Sequence, residues 1–477
     1  MTDADLAEMR TQAERLGFNL SESLLEEILE TATAGDSEAT ETATPSAEGV
    51  GHRADDDENA LLAVFDEPRV RTDSGPLAGT TLAVKDNIAV ADLEMTCGSR
   101  AYSVVPSETA PSVDRLLEAG IGLVGKANME PFAMGPTGEF SDFGHVTNPV
   151  DPDIVAGGSS SGSAAAVAAG TVDVALGTDT GGSVRIPAAC CGIVGVKPSH
   201  RLVPRNGFVD FAPSLDTIGP LARDVPTATR AIAAMAGPDP RDPTSADRSL
   251  EFETLDDLDD ADGLTVGIPE TPFERSSDEV ADAVRTVTDR LSTLGIETVP
   301  VELDLGDTEA AYLNIGAAEF SWLVSGNGVT RGQGTGYDEE LRQAFAAARE
   351  DGLGEHVARR ILPPAFLDMT SGGATYAAAR AEGIEFMTRL KAAFDAVDAL
   401  VMPTLRVRPP AVETVTTRAD LIPVLGNTAP FNIAGTPAVT VPVTSLDGLP
   451  VSAQAVAPQF EDGLALRVAH ALERVAD

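Results

Sequence analysis

The stretch GGSSSGSAAAVAAG (Gly157–Gly170), followed closely by GTDTGGSVRIP (Gly177–Pro187), decides the fold and the chemistry that we predict for this chain. Each segment places a serine among small residues, Ser159 in the first and Ser183 in the second. Glycine lets a backbone turn sharply and bring its N–H groups close to a ligand. A serine among such N–H groups is typical of a nucleophile beside an oxyanion hole. No histidine lies in or between these segments, so another base must activate the serine.

The charge of the chain is strongly negative. Its 477 residues include 33 Lys plus Arg against 75 Asp plus Glu, which gives a formal net charge of −42. This composition resembles that of proteins from salt-loving organisms, whose carboxylates keep the protein hydrated. The alternative is an acidic protein that binds basic partners. Because phosphate contacts need basic surface, we expect no direct binding of nucleic acid.

Cysteine content and the N-terminal sequence exclude several further classes of protein. Cys97, Cys190 and Cys191 match neither a disulfide framework nor the spacing of metal ligands, so we expect no metal and no cofactor. The first residues, MTDADLAEMR, are acidic and unlike a signal peptide. No apolar run approaches the about 20 residues of a membrane span. We therefore expect a cytoplasmic protein that does not bind membranes.

The chain divides into three regions by composition. Residues 1–33 carry apolar positions at helical spacing in two pieces, which predicts an N-terminal helical hairpin. Residues 34–59 are acidic and aperiodic, which predicts an exposed flexible linker. Residues 60–477 form the main domain.

Short apolar strands alternate with helices in the main domain. We predict strands at Thr80–Val84, Ile121–Val124, Val172–Leu176, Leu264–Pro269, Leu400–Pro403 and Pro437–Val443. We predict helices at Ser112–Ala119, Ser160–Ala169, Val280–Leu294 and Gly463–Val475. Alternation of this kind predicts an α/β fold with a mixed sheet.

Two familiar patterns in this sequence fit their usual function poorly. Gly120–Gly125 has the spacing of a dinucleotide-binding fingerprint, but it follows a helix and leads into a strand, the reverse of what that motif needs. Gly158–Gly162 has the spacing of the nucleophile elbow of α/β-hydrolases, but the preceding NPVDPDIVAG makes a poor strand. The helix start after Gly157 also suits an anion, which is a weak signal by itself. A serine–histidine–acid enzyme is therefore disfavoured.

The scarcity of lysine directs attention to the few that are present: Lys85, Lys126, Lys197 and Lys391. A buried lysine can lose its proton and act as a base, whereas arginine cannot. Lys391 lies in a polar helical segment and is expected at the surface. The other three each end a short apolar run, and the residues alone leave the choice among them open, with a preference for Lys85.

The chain resembles the amidase signature family. The matching pieces are AVKDNI (83–88), GKANMEPFAMGPTGE (125–139), NPVDP (148–152), GGSSSGSAAAVAAG (157–170), GTDTGGSVRIPAACCGIVGVKPS (177–199) and LDTIGPLAR (215–223). The tail agrees at MPT (402–404), FNIAGTPAVTVPV (431–443) and GLPVSAQ (448–454). The resemblance covers residues 60–475 and implies the amidase-signature fold, a central mixed, twisted β-sheet with helices on both faces and here an N-terminal helical appendage.

The resemblance also implies a catalytic triad of Lys85, Ser159 and Ser183. Ser183 would be the nucleophile that forms an acyl-enzyme. Ser159, held in the family by a cis peptide bond, would relay the proton between Lys85 and Ser183. Lys85 must be neutral to act as the base. The implied oxyanion hole consists of the backbone N–H groups of Thr180, Gly181, Gly182 and Ser183.

Three further residues match family positions near these loops. We expect Asp179 and Arg185 to support the conformation of the loop that carries Ser183 (residues 179–185, called the nucleophile loop below), with substrate contact as the alternative. Ser160 neighbours the proton relay, and we expect it to hydrogen-bond the loop rather than react.

The resemblance leaves two branches of the family to choose between. The A subunit of glutamyl-tRNA(Gln) amidotransferase takes ammonia from glutamine and uses an acidic residue shortly before a PxNxAG motif to hold it. The run Leu425–Gly435 contains no Asp or Glu, although HVARRIL (His356–Leu362) resembles that subunit's arginine segment. The N-terminal hairpin and the SSSGS form resemble stand-alone acylamide amidohydrolases.

We therefore expect an amidase that cleaves a carboxylic amide to an acid and ammonia. The amidotransferase A subunit is the alternative, and a catalytically silent homologue that only binds an amide is the third hypothesis. The expected partner is a small-molecule amide, with room for a homodimer. Amidotransferase partner subunits are expected only under the alternative.

Overall fold

The structure is a computed structural model. It describes residues 6–7, 9–11, 13, 18, 20–33, 51–250, 255–326, 328–329 and 339–476. Backbone proximity divides the chain into two compact units, Met1–Pro45 and Ser46–Asp477. Helix α1 (Glu22–Thr33) belongs to the first unit, in which the described positions between Leu6 and Ala13 are also helical. Part of the predicted hairpin over 1–33 lies outside the described residues.

The second unit is built on a single sheet of twelve strands. The strands are β1 (His52–Arg53), β2 (Leu61–Val70), β3 (Thr81–Lys85), β4 (Gly122–Ala127), β5 (Val174–Asp179), β6 (Val194–Lys197), β7 (Thr217–Ala222), β8 (Thr265–Pro269), β9 (Glu297–Val301), β10 (Ala399–Pro403), β11 (Ala438–Leu446) and β12 (Leu449–Val456). Their order across the sheet is β1-β2-β4-β3-β5-β7-β6-β11-β12-β10-β8-β9. Both parallel pairs, such as β3 with β5, and antiparallel pairs, such as β5 with β7, occur.

Helices connect and cover these strands. They are α2 (Pro111–Glu118), α3 (Ser161–Ala168), α4 (Arg185–Cys191), α5 (Val225–Met235), α6 (Glu270–Glu274), α7 (Asp278–Asp289), α8 (Thr308–Ser325), α9 (Glu339–Asp351), α10 (Glu355–Thr370), α11 (Ala374–Phe394), α12 (Arg418–Leu425), α13 (Ala429–Ile433) and α14 (Asp462–Val475). Short 3-10 segments lie at Pro131–Ala133, Leu255–Asp259 and Arg290–Leu294. The predicted α/β fold with a central mixed sheet is confirmed.

Strands β3 and β5 position the functional site. Both strands are largely apolar and buried along nearly their whole length, as expected for strands of a sheet that is covered on both faces. They run parallel, with Val84 opposite Leu176. Their carboxyl ends therefore meet at the same edge of the sheet, which places Lys85 and Asp179 at the ends of neighbouring strands.

Several expectations about element bounds differ from the structure. The strand predicted at Thr80–Val84 extends to Lys85, so that this lysine lies within β3. The single helix predicted at Val280–Leu294 is α7 followed by a 3-10 segment that ends before Gly295, whose φ of +78° stops it. Of the linker predicted at 34–59, residues 51–59 are described, and His52–Arg53 pair with β2 there.

Neither a membrane span nor a metal cluster is found in the described ranges. No helix among them is both long enough and apolar enough to cross a membrane. The same ranges contain no group of three or more His, Cys, Asp and Glu side chains that could hold a metal ion.

Candidate active site

Lys85 and Ser159 are in direct contact. The Nζ of Lys85 donates to the Oγ of Ser159 at 2.8 Å and to the Oγ1 of Thr178 at 2.8 Å. The lysine is the last residue of β3, and the serine lies in the segment just before α3. Both side chains are fully buried. The structure thus brings together two of the three residues of the expected triad.

Burial changes the acidity of Lys85. Removal from water lowers the pKa of its ammonium from 10.5 to about 7, against the opposing charges of Asp179 and Asp216. A large fraction of Lys85 is therefore neutral near neutral pH. This is the protonation state that a general base requires.

The backbone around Ser159 has an unusual geometry. The peptide bond between Gly158 and Ser159 is cis. Glycine is required next to it, because a Cβ on Gly157, whose φ is +77°, would lie 2.6 Å from the Cα of Pro187. The carbonyl of Ser159 accepts the N–H of Glu130 at 3.2 Å. The loop after β4 therefore supports this serine.

Ser183 lies in the loop between β5 and α4. It is half-buried, unlike the fully buried Ser159. The backbone N–H of Ser160 donates to the carbonyl of Ser183 at 3.3 Å, which joins the two serine loops. Within the part of the chain that the structure describes, no hydrogen bond engages the hydroxyl of Ser183. The loop that carries Ser183 is thus joined to the loop of the Lys85–Ser159 pair.

Asp179 and Arg185 form a buried ion pair inside the nucleophile loop. The Nε of Arg185 lies 3.1 Å from the Oδ2 of Asp179, and both side chains are inaccessible to solvent. Arg185 also donates to Asn432 Oδ1 at 2.6 Å and to Gln454 Oε1 at 3.0 Å. Burial by itself would raise the pKa of Asp179, but Arg185 and its hydrogen bonds prevail and lower it to about 2. The aspartate is therefore a carboxylate at all ordinary pH values.

The backbone donors expected at the oxyanion hole are not all available. The N–H of Gly182 donates to the Oδ1 of Asp179 at 2.8 Å. The same carboxylate accepts the N–H of Val184 at 3.2 Å. The expectation that the N–H of Gly182 contributes to the oxyanion hole therefore differs from this structure. That N–H already donates to the carboxylate of Asp179. Thr180, Gly181 and Ser183 remain as the expected donors.

Ser160 bridges its loop to strand β5. Its Oγ accepts the N–H of Thr178 at 3.3 Å and lies 3.4 Å from the Thr178 carbonyl. Thr178 in turn accepts the Nζ of Lys85 on its hydroxyl. Ser160 thus contacts the loop and the strand that hold the base.

Tyr312, which no local sequence pattern indicated, covers the nucleophile loop. A Cβ on Gly181 would lie 2.2 Å from the Cζ of the Tyr312 ring and 2.4 Å from its hydroxyl oxygen. Burial and the neighbouring Asp179 raise the pKa of this hydroxyl above its usual value. Tyr312 comes from α8, far along the chain from the loop, so only the folded structure reveals this contact.

The run Leu425–Gly435 also contacts this loop. The Oγ1 of Thr428 donates to the carbonyl of Gly181 at 2.7 Å, and the Nδ2 of Asn432 donates to the carbonyl of Asp179 at 3.0 Å. Leu425 is buried in an apolar cluster that includes Ile186. This run therefore contacts the site through amide, hydroxyl and apolar groups.

The arginine segment HVARRIL begins near the start of α10 and packs on the loop that follows β4. The Nε2 of His356 contacts the carbonyl of Met134 at 2.5 Å, and its ring stacks on Phe140 at 4.2 Å between centroids. Burial and the nearby Arg360 lower the pKa of His356 to about 4, so this ring is neutral at neutral pH. The segment thus supports the loop whose Glu130 N–H holds the carbonyl of Ser159.

The other lysines have different environments. Lys126 lies 3.3 Å from the Oδ1 of Asp86 and donates to the carbonyl of Ile88 at 2.7 Å. Lys197 donates to the carbonyl of Pro198 at 3.0 Å. Both are fully buried, whereas the side chain of Lys391 is 77% exposed beside Asp395. Of the four, Lys85 is the one that contacts a serine hydroxyl of the expected triad.

Comparisons with known proteins extend over most of the chain. A family model described as Amidase matches residues 39–466. The A subunit of glutamyl-tRNA(Gln) amidotransferase from Halobacterium salinarum is 41% identical over 406 residues, which cover 84% of this chain and 96% of the relative. The crystal structure of the corresponding A subunit from Thermotoga maritima superimposes with a TM-score of 0.74 at 33% identity and covers 87% of each chain. A crystal structure of an amidase superimposes with a TM-score of 0.71 at 28% identity, over 99% of this chain and 96% of its own.

These comparisons correct the choice of branch. The preference for a stand-alone amidase is wrong, because the relative at 41% identity and the structure at 33% identity are both named as amidotransferase A subunits. That preference rested on a few local features, such as the absence of a carboxylate from Leu425–Gly435. The similarity to the A subunits extends over most of the chain. The family expectation itself is confirmed by the match over residues 39–466. This chain belongs to the amidase signature family.

Proposed function

We propose that this chain is the amide-hydrolysing subunit of an amidotransferase, in which it releases ammonia from glutamine. The contact of 2.8 Å between the Nζ of the buried Lys85 and the Oγ of Ser159 carries the hydrolytic part of this proposal. The similarity to amidotransferase A subunits supports the rest.

The first half of the reaction forms an acyl-enzyme. Neutral Lys85 takes the proton of the Ser159 hydroxyl, and Ser159 takes the proton of Ser183 as the Ser183 oxygen attacks the amide carbon. The oxyanion that forms is stabilised by loop N–H groups, each worth about 3–4 kcal/mol in such sites. When the C–N bond breaks, the proton on Lys85 returns through Ser159 to the leaving nitrogen, and ammonia departs.

The second half of the reaction restores the enzyme. A water molecule takes the place of ammonia and gives its proton to Lys85 through the same relay. Its oxygen attacks the ester carbon, and the bond to Ser183 breaks as that serine regains its proton. The products are the acid and the free enzyme.

The released ammonia is the product that an amidotransferase uses. The names of the relatives indicate transfer to glutamyl-tRNA by an enzyme of more than one subunit. We assign the transfer step to partner subunits, because the acidic chain has little basic surface for RNA phosphates. The site in this chain then needs only to hydrolyse its amide and release ammonia to the partner.

One feature makes the choice of amide testable. The run Leu425–Gly435 contains no carboxylate, and Leu425 lies in an apolar cluster. The amino group of glutamine must therefore be held elsewhere in the site. Glutamine should still be the preferred amide among glutamine, asparagine and simple amides such as acetamide.

The test measures ammonia release by the purified chain, by itself and with its partner subunits. Wild type should hydrolyse glutamine, and the variants Ser183→Ala, Ser159→Ala and Lys85→Ala should lose this activity. Ser163→Ala is the matched control, because Ser163 is a buried serine of α3 that bonds the carbonyl of Leu176 rather than Lys85. Hydrolysis of acetamide faster than of glutamine, in both assemblies, would contradict the proposal.

A further inference from the structure

A second buried carboxylate lies beneath the nucleophile loop. Asp216 immediately precedes β7, whose Thr217 pairs with Asp179 at the end of β5. It is fully buried, and its hydrogen bonds go to residues outside the expected triad. A buried carboxylate is costly unless hydrogen bonds satisfy it, so the partners of Asp216 indicate why it is there.

Asp216 connects two separate segments of the site. Its Oδ1 accepts the Thr180 hydroxyl at 2.5 Å. Its Oδ2 accepts the backbone N–H groups of Phe211 and Ala212 at 2.9 and 2.8 Å. The two bonds from backbone N–H groups join residues only four and five positions apart, so they would form in a local turn without the rest of the site. The third bond crosses to the nucleophile loop and is the one that a local structural role does not require.

The segment that Asp216 grips is itself attached to the helix that covers the site. Ser214 donates its N–H and its hydroxyl to the carboxylate of Glu319 on α8, at 3.0 and 2.6 Å. The ring of Phe211 stacks on Phe320 of the same helix at 5.4 Å between centroids. Helix α8 also carries Tyr312, which lies over Gly181. Asp216 thus hydrogen-bonds both Thr180 and the segment that is attached to α8.

We propose that Asp216 is a positioning residue that acts through Thr180 to hold the oxyanion-binding N–H groups in place against the wall formed by α8. It does not touch the substrate. The inference rests on the proposed function, because it assigns to Asp216 the geometry of the same acyl-transfer site. The hydrogen bond between Asp216 and Thr180 forms in either protonation state of Asp216. The two backbone N–H groups donate to Oδ2, so a proton on the carboxyl group lies on Oδ1 and points to the Thr180 oxygen.

The experiment compares Thr180→Val, Asp216→Ala and the double variant. The measurements are kcat and KM for ammonia release from glutamine, and the rate at which a fluorophosphonate labels Ser183. Each single variant should lower kcat and the labelling rate by about 10-fold or more. KM should change by less than about threefold, because the lost interaction is made in the transition state. The double variant should be no slower than Asp216→Ala, because both changes remove one bond.

A conservative variant and a matched control separate positioning from stability. Asp216→Asn keeps an acceptor for the two N–H groups and a polar group toward Thr180, so it should recover part of the rate lost in Asp216→Ala. Asp462→Ala is the control, because Asp462 is a buried carboxylate that accepts the N–H and the hydroxyl of Ser199 at 2.8 and 2.5 Å rather than a hydrogen bond from the nucleophile loop. Its folded molecules should be labelled at the wild-type rate. Thr180→Val alone carries the test if Asp216→Ala does not fold.

The outcomes distinguish this inference from the proposed function. Active wild type together with wild-type rates in Thr180→Val and in folded Asp216→Ala overturns the role of Asp216 alone. Wild type that neither releases ammonia from glutamine nor reacts at Ser183 overturns the proposed function and this inference with it. Reduced rates in Asp216→Ala and Asp462→Ala alike also overturn the inference, because loss of any buried carboxylate would then explain them.

Discussion

Lys85 is fully buried, unlike most lysines, and this burial makes it able to act as a base. Its Nζ donates to Ser159 and Thr178, and the carboxyl groups of Asp179 and Asp216 act to raise its pKa. Burial prevails over those charges and lowers its pKa to about 7. Arginine cannot replace it, because a guanidinium stays protonated at any pH that the fold tolerates.

The pH dependence of the reaction should report this lysine. Because the neutral amine is the base and its pKa is about 7, kcat/KM for glutamine should rise with pH through that value and level off above it. Lys85→Arg should be inactive across the range. A rate that is flat between pH 6 and pH 8, roughly one unit on either side, would contradict a titrating base at this position.

A second prediction at the scale of the residue concerns Gly181. An alanine there would place its Cβ 2.2 Å from the Tyr312 ring, a distance that forces the loop or the helix to move. We expect Gly181→Ala to lower kcat by at least about 100-fold, the effect of losing one oxyanion donor. The control is Gly448→Ala, which strains the backbone of a turn glycine at φ +84° but has nothing within 4 Å of its added Cβ, so it should keep the wild-type kcat.

At the scale of the element, a buried ion pair joins the two ends of the nucleophile loop. Asp179 ends β5, Arg185 begins α4, and the carboxylate also accepts the N–H of Gly182 between them. Asp179→Ala leaves the guanidinium buried without its partner, which should reduce the free energy of unfolding by about 3–5 kcal/mol. Urea denaturation measures this loss.

The control for that measurement is an exposed pair. Lys391 and Asp395 lie 3.2 Å apart on α11 and at its end, with side chains 77% and 70% exposed. Asp395→Ala should change the free energy of unfolding by less than about 1 kcal/mol. Equal losses in the two variants would show that the loop does not depend on the Asp179–Arg185 pair.

Elements that are continuous along the sequence could be predicted, and contacts between distant elements could not. Apolar runs bounded by glycine place β3, β4 and β5 within about three residues, because burial of a strand requires such a run. The family resemblance, rather than local pattern, implied that Lys85 and Ser159 act together, and the structure has them in contact at 2.8 Å. The place of Ser183 in that triad stays a prediction. The covering of Gly181 by Tyr312 and the bond from Thr180 to Asp216 left no trace in local pattern, because each joins segments that only the folded sheet brings together.

At the scale of the whole molecule, the net charge of −42 governs stability in salt. Unscreened carboxylates repel one another in the folded state more than in the expanded chain. At molar salt the charges are screened within about 3 Å. The midpoint of thermal unfolding should therefore rise steadily from dilute buffer to molar KCl. A midpoint that is constant across this range would exclude adaptation to salt.

The distribution of lysine has a practical consequence for following this protein in solution. Lys85, Lys126 and Lys197 are fully buried, and Lys391 is the lysine that solvent reaches in the folded chain. Among the lysines, an amine-reactive acetylating reagent should modify Lys391 first. Acetylation of the other three should appear only as fast as the fold opens. Mass spectrometry of those three peptides would then time the opening of strands β3, β4 and β6, which carry these lysines, without an added dye or an activity assay.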